Sequence, residues 1–439
     1  MEKRSESLAA ERVPRYTSYP TAPHFHAGIG EGQYKEWLGN LNDSQPLSLY
    51  FHIPYCRQLC WFCGCHTKIV NHYDPVEKYL DLMKCEIALL AGLLPKAPVT
   101  HIHYGGGSPT IISATDFSSL MDNIRQSFIV SSEAEIAIEI DPRTVDVEKI
   151  KAYATSGVTR ASLGVQDFTL RVQEAINRIQ PYDMVLDVTR MLRKQGINAL
   201  NVDLIYGLPH QTLKTTRQTI EQTLTLEPDR ISLFGYAHVP WMKKHQQLVP
   251  EEALPTPSSR AEMFEAASLM LTNAGYVAIG LDHFAKPEDS LTTAMKDGKL
   301  QRNFQGYTTD TAPAVLGMGV SSISSLPQGY LQNTSSNIDY SRALRAKQLP
   351  VARGIMLTQD DINRREIIMS LMCRLHALVP EKLYVAELQR LKSYFDAGDA
   401  IYNNERLTIN PKAQKHLRLI ASVFDCYMSD TGHRYSQAV

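Results

Sequence analysis

Residues 50–68 read "YFHIPYCRQLCWFCGCHTK". The strand-like run "SLYFHI" leads into four of the chain's seven cysteines, Cys56, Cys60, Cys63 and Cys65. Sulfurs this close together in one segment do not make a disulfide framework, and in a reducing compartment metal binding is the better reading. Zinc usually takes cysteines as two separated pairs. No second pair exists here, so zinc would have to use Cys65 or His66 as fourth ligand in a very tight loop. Three thiolates spaced Cys56-x3-Cys60-x2-Cys63 better suit three corners of a [4Fe-4S] cubane, whose fourth iron stays open to the amino and carboxylate groups of a small molecule. The three remaining cysteines, Cys85, Cys373 and Cys426, lie in helix-like apolar patterns and are expected in the core.

Working outward, five more strand-like runs follow: "THIHYGGG", "EIAIEIDP", "RASLGVQ", "ALNVDLIYGLP" and "RISLFGYA". Amphipathic stretches such as "VEKYLDLMKCEIALLAGLL" and "MVLDVTRMLRKQG" lie between them, with apolar residues every three or four positions. Strand then helix, repeated, predicts an α/β fold of parallel units. Polar or glycine residues end nearly every strand, which favours a partial (β/α)6 TIM-like barrel with a ring of functional loops over an open sheet. A seventh run, "YVAIGLDHF", is expected to extend the sheet.

Three segments are expected: an N-terminal arm over the substrate site (1–46), a catalytic barrel (47–330) and a mostly helical C-terminal domain (331–439). The polar "PQGYLQNTSSNIDYSRAL" reads as the connection to the last. Thr358 and Asp361 form a capping-box-like helix start, "AIYNNERLTIN" a small hairpin, and "KAQKHLRLIASVFDCYM" a closing helix. That tail resembles a winged-helix arrangement, though without the basic excess that DNA binding requires.

The formal net charge is −1, with 44% hydrophobic and 21% charged residues. Such a composition gives no electrostatic case for nucleic acid or an anionic membrane. No apolar run approaches a membrane span and the first residues lack a secretory core, so a cytoplasmic protein is expected.

"HYGGGSPT" lacks both the Lys-Ser/Thr of a P-loop and the third glycine of a dinucleotide fold, where Thr110 stands. Its glycines let backbone approach a ligand. In "EIAIEIDP" Glu139 and Asp141 share a face near the strand end, and Gln166, Asp203 and Ala237 end later strands, converging on one rim.

"CRQLCWFC" resembles the CxxxCxΦC signature of radical S-adenosylmethionine enzymes, with Phe62 as the aromatic. Across nearly the whole chain, "RYTSYPTA", "YGGGSPT", "EIDPR", "GVQDF", "NVDLIYGLP", "RNFQGYTT", "LGMGVSSIS" and "RGIMLTQDDINRREII" are similar to the oxygen-independent coproporphyrinogen III oxidase family. This resemblance implies a [4Fe-4S] cluster on Cys56, Cys60 and Cys63, and two S-adenosylmethionine molecules. Tyr50, Gly106, Glu139 and Ile323 would serve the molecule at the cluster. Phe62, Gly107, Ser108, Gln166, Arg178, Asp203 and Ala237 would serve the second.

The implied reaction turns two propionates of coproporphyrinogen III into vinyl groups, giving protoporphyrinogen IX by way of a 5'-deoxyadenosyl radical. It needs an electron donor and an acceptor, and a monomer is expected. Cys65, assigned to catalysis, and the "RYTSYPT" arm set the chain apart from related haem-binding chaperones. The arm also sets it apart, more weakly, from radical methyltransferases that open haem. Ser108 stands where the family usually has threonine, and "CGCH" where it often has "CGCN", leaving His66 without a role.

Overall fold

The computed structural model describes residues 12–428. Its centre is a twelve-stranded sheet. All six predicted runs form strands: β1 (Leu47–Ile53), β2 (Pro98–Gly106), β3 (Ile129–Ile140), β4 (Arg160–Gln166), β5 (Ala199–Tyr206) and β6 (Arg230–Gly235). They pair in parallel in chain order. The seventh run becomes an antiparallel hairpin, β7 (Val277–Ile279) and β8 (His283–Ala285), with β8 against β6. At the other edge β9 (Ala314–Met318) pairs in parallel with β1. Antiparallel β10 (Ile323–Leu326), β11 (Gly329–Asn333) and β12 (Val351–Met356) follow. β6 and β9 do not pair, so the barrel is partial, as expected.

The crossover helices form where the sequence supplies starts and apolar faces. Asp74–Ala91 has proline in its first turn and buries Val76, Leu80, Met83, Ile87 and Leu90 on one side. Ser113 caps Ala114–Ser127 by accepting from the Asp116 amide at 3.1 Å.

Strand alternation sorts the two faces of the barrel. Leu49, Phe51, Ile138, Leu163, Val202 and Ile231 point outward and are buried beneath the helices. Each fully buried aliphatic side chain of this kind contributes about 1.5–3 kcal/mol. The inner face is polar: across neighbouring strands Tyr50 pairs with His103, Glu139 with Ser162 and Asp203 with Ser232. A packed TIM barrel fills its interior with branched apolar side chains, whereas this one holds most of its apolar mass outside.

Several expectations change. "PQGYLQNTSSNIDYSRAL" is no linker: β11 lies in it and β12 follows, so the barrel's sheet continues past residue 330. A second apolar cluster, with Ile367, Leu371, Leu407, Leu417 and Phe424, forms the C-terminal unit. There the predicted capping box is formed, and the expected hairpin Ala400–Asn403 with Arg406–Ile409 gains a third strand, His376–Leu378. The closing helix is short, Leu417–Ser422. Cys373 is buried as expected, but Cys85 and Cys426 are exposed. Cys85 falls between the buried rows of its helix, and Cys426 lies past the last one.

The arm straps the C-terminal unit to the barrel. Val13, Tyr16 and Tyr19 are buried in the C-terminal cluster, whereas Tyr34, Trp37 and Leu38, on the helix Glu31–Gly39, pack into the barrel core.

Candidate active site

The cysteine loop leaves the C-terminal end of β1, and backbone bonds hold its base. The Gly107 amide donates to the Ile53 carbonyl at 2.8 Å and the Ser108 amide to the Tyr55 carbonyl at 2.9 Å, so the glycine run and the cysteine loop are built against each other. A Cβ at Gly107 would stand 2.8 Å from the Tyr55 carbonyl oxygen, and one at Gly106, where φ is +112°, 2.7 Å from the His52 ring. Glycine is therefore required at both positions.

Two arginines approach the loop from the side. Arg143 donates to the Cys60 sulfur at 3.5 Å, as does Arg178. Asp141 ion-pairs with Arg143 at 2.7 Å and Arg178 at 3.4 Å, and its carboxyl lies below the usual range because their attraction outweighs burial. Arg178 also donates to the Gly164 carbonyl at 2.6 Å, while its buried Nε has no hydrogen-bond partner.

The segment after β6 grips the loop from the opposite side. Gln246, nearly inaccessible, donates to the Phe62 carbonyl at 2.9 Å and the Ala237 carbonyl at 3.2 Å, and accepts from the Val239 amide. His245 reaches the Cys63 carbonyl at 2.7 Å and Lys243 the Cys65 carbonyl at 3.0 Å. Phe62 packs with Val172, Ile176, Leu208 and Tyr236.

Cys65 is exposed, and its amide donates to the Cys63 sulfur at 3.4 Å. A hydrogen bond between the two thiols draws Cys63 down to about 6 and pushes Cys65 up. Burial raises the Cys56 thiol to about 12, opposed by a hydrogen bond from Thr67.

Beneath the loop, the polar lumen brings together most of the predicted rim. Tyr50 reaches His52 at 3.1 Å and lies beside the His103 ring, 5.9 Å between centroids, and His103 meets Glu139 at 3.3 Å. Asp203 accepts from Ser162 and Asn201, both at 2.8 Å, and burial raises its carboxyl. Gln166 closes β4 with φ +71°. Ser108 bonds Thr110 at 2.7 Å, Ala237 follows β6, and His66 offers its carbonyl to His52 at 3.0 Å. Ile323 opens β10 with its backbone against Gly317, the register partner of Tyr50, and lines a cavity of about 420 Å³ with Arg302, Phe304 and Tyr330.

Among the described residues, no three His, Cys, Asp or Glu side chains converge as ligands of one metal ion. A cubane makes no such demand, since each thiolate sits on its own iron. Three cysteines in one loop, a glycine edge with no room for side chains, the orphaned Arg178 Nε and an acid-lined lumen fit a cluster with a bound amino acid nucleotide.

Residues 50–223 match the Radical SAM superfamily. The oxygen-independent coproporphyrinogen III oxidase of Bradyrhizobium diazoefficiens is 45% identical, over 99% of this chain and 98% of that protein. The chain belongs to the oxygen-independent coproporphyrinogen III oxidase family. Another member, from Helicobacter pylori strain J99, is 38% identical over 97% of this chain and 96% of its own length. The solved structure of coproporphyrinogen III oxidase (HemN) from Escherichia coli, described as a Radical SAM enzyme, superposes with a TM-score of 0.91. It is 35% identical and covers 95% of this chain and 100% of its own. The partial barrel and helical C-terminal region are thus those of this oxidase family.

Arg143, His245 and Gln246 were not singled out from the sequence. They act on backbone carbonyls or a sulfur from distant loops, with no local spacing to betray them. Arg143 alone lay inside a family motif, "EIDPR".

Proposed function

We propose that this chain catalyses the anaerobic oxidative decarboxylation of two propionates of coproporphyrinogen III, giving protoporphyrinogen IX in haem biosynthesis. The observation that carries this reading is the three-cysteine loop over a polar barrel lumen, in a chain similar over its full length to coproporphyrinogen III oxidases.

Cys56, Cys60 and Cys63 would hold the [4Fe-4S] cluster. Tyr50, Gly106, Glu139 and Ile323 serve the S-adenosylmethionine at the cluster, and Phe62, Gly107, Ser108, Gln166, Arg178, Asp203 and Ala237 serve a second. When bound, these cofactors supply the electron and the 5'-deoxyadenosyl radical that takes a hydrogen atom from each propionate β-carbon. Loss of carbon dioxide and transfer of one electron to an acceptor then complete each vinyl group.

The chain's own residues orient and exclude. Glu139 accepts hydrogen bonds from a ribose or an ammonium group, with His103 at its side. Asp203 is steadied by Ser162 and Asn201 for the second nucleotide. The glycine edge lets ligand atoms approach the backbone, and Gln246, His245 and Lys243 keep the loop over the lumen. Cys65 works beside Cys63 as a catalytic thiol. In this reading the enzyme acts as a monomer in the cytoplasm, served by an electron donor and an acceptor, with no nucleic acid or membrane partner.

The test is anaerobic reconstitution with iron and sulfide. Coproporphyrinogen III, S-adenosylmethionine, a reductant and an electron acceptor are then added, and porphyrins are separated after oxidation. Vinyl product is expected, and its absence from protein with an intact cluster spectrum overturns the proposal.

A further inference from the structure

A cavity of about 680 Å³ lies outside the barrel. Its floor is the outward face of β5 and β6, at Tyr206 and Leu233. The helix Pro257–Asn273, the β7–β8 hairpin, the segment before and within Leu417–Ser422, and Arg15 of the arm form its walls. The size is that of an ordinary small-molecule site.

Its chemistry is two-sided. Leu233, Phe264, Leu281 and Phe284 provide an apolar wall, against which stand the guanidinium groups of Arg15, Arg260 and Arg418. Arg15 donates to the Gly235 carbonyl at 2.7 Å and Arg260 to the Tyr236 carbonyl at 2.9 Å. The Arg260 Nε is buried and unpartnered among the described residues, with its guanidinium carbon 5.9 Å from the Tyr206 ring centre. Arg418 is buried and donates to the carbonyls of Val13 and Pro14. The partners of Arg15 and Arg260 among the described residues are backbone carbonyls.

Asp282, one of two acids in the lining, is held by His283 at 2.7 Å and stands 3.9 Å from Arg302; the other, Glu265, is exposed. Neither acid forms an ion pair with Arg15 or Arg260 among the described residues. Burial and the neighbouring Arg15 bring the Arg418 guanidinium down to about 9, as crowding of like charges requires. The seat of Arg260 is built for it: a Cβ at Gly207, where φ is +84°, would stand 2.9 Å from its Nε, and one at Gly235 3.2 Å from an Nη.

We infer that this cavity is a second ligand site, outside the barrel, for an organic acid whose carboxylate meets Arg15 and Arg260 and whose apolar body lies on Phe264 and Phe284. The guanidinium fork accepts carboxylate in bidentate fashion. A tetrapyrrole propionate and a fatty acid share this chemistry. Because Arg15 belongs to the arm and Arg418 to the C-terminal unit, a bound acid ties both to the barrel. Occupation does not depend on decarboxylation, so the site stands or falls apart from the reaction above.

The test titrates the full-length, cluster-loaded protein with coproporphyrin III, with dodecanoate and with inorganic phosphate, in the natural chain and in Arg260→Met and Arg15→Gln. Thermal unfolding of each variant verifies its fold. Coproporphyrin III is expected to fill one site fewer in the variants, or dodecanoate to bind at least about tenfold more weakly, as loss of a charge-assisted hydrogen bond dictates. Whichever acid loses binding identifies the source. Equal binding of both acids in all three proteins overturns the inference, as does an effect confined to phosphate.

Discussion

Arg143 donates from Nη2 to the sulfur of Cys60 at 3.5 Å, while the same nitrogen and Nε are held on Asp141 and Nη1 on Gln58. A cationic donor on a cluster thiolate favours the more negative, reduced cluster, so it raises the reduction potential. In Arg143→Met the potential should become more negative by on the order of 50 mV, since about 59 mV corresponds to tenfold in a one-electron couple. Potentiometric titration followed by electron paramagnetic resonance measures this shift, and an unchanged potential would remove Arg143 from that role.

The cysteine assignment divides cleanly. Cys56→Ala, Cys60→Ala and Cys63→Ala should each lose the cluster, read as bound iron and visible absorbance after reconstitution. Cys65→Ala should keep both and lose product formation. Loss of iron in Cys65→Ala would make that thiol a ligand.

Gly107→Ala places a methyl group 2.8 Å from the Tyr55 carbonyl oxygen, a backbone atom that cannot rotate away. Overpacking of this kind costs about 1–3 kcal/mol and here displaces the base of the cysteine loop. Denaturant unfolding should show the destabilisation, and equilibrium dialysis weakened S-adenosylmethionine binding. Gly30, with open space around it, serves as the control position.

Glu86 is buried behind β9, where it accepts from the Gly319 amide at 2.8 Å, from Tyr340 at 2.6 Å and from Asn333 at 2.6 Å. Burial outweighs these bonds and pushes its carboxyl from 4.5 up to about 7. The folded state therefore holds a proton that the unfolded chain has released, and stability falls as pH rises from about 4.5 through 7. The loss amounts to about 3.4 kcal/mol, from a rise of about 2.5 pH units at about 1.36 kcal/mol each. Urea unfolding at pH values on either side of this window should show it, and Glu86→Gln should flatten the dependence.

Much of this architecture was legible because each barrel strand ends in a glycine, proline or polar signal and each crossover helix buries one regular face. The cysteine loop and glycine run were legible because their function is local in sequence. β11 escaped because Asn333, which looks like a turn residue, is buried on Glu86, so its polarity reports a partner rather than water. Gln246 escaped for a related reason: it grips Phe62 across 184 residues through a carbonyl, a group every residue has. Cys85 was misplaced because it falls between the buried rows of its helix, and Cys426 because it lies beyond the last described helix.

The arm joins the two ends of the chain. Tyr16 bonds Asp425 at 3.0 Å, Tyr19 meets the Cys426 sulfur at 3.2 Å, and Arg418 clasps the carbonyls of Val13 and Pro14. During synthesis the parallel strands of the barrel can pair with neighbours already made. The arm cannot be fastened until the segment Arg418–Cys426 has been made. A chain interrupted before Arg418 would leave Val13, Tyr16 and Tyr19 without the partners that bury them.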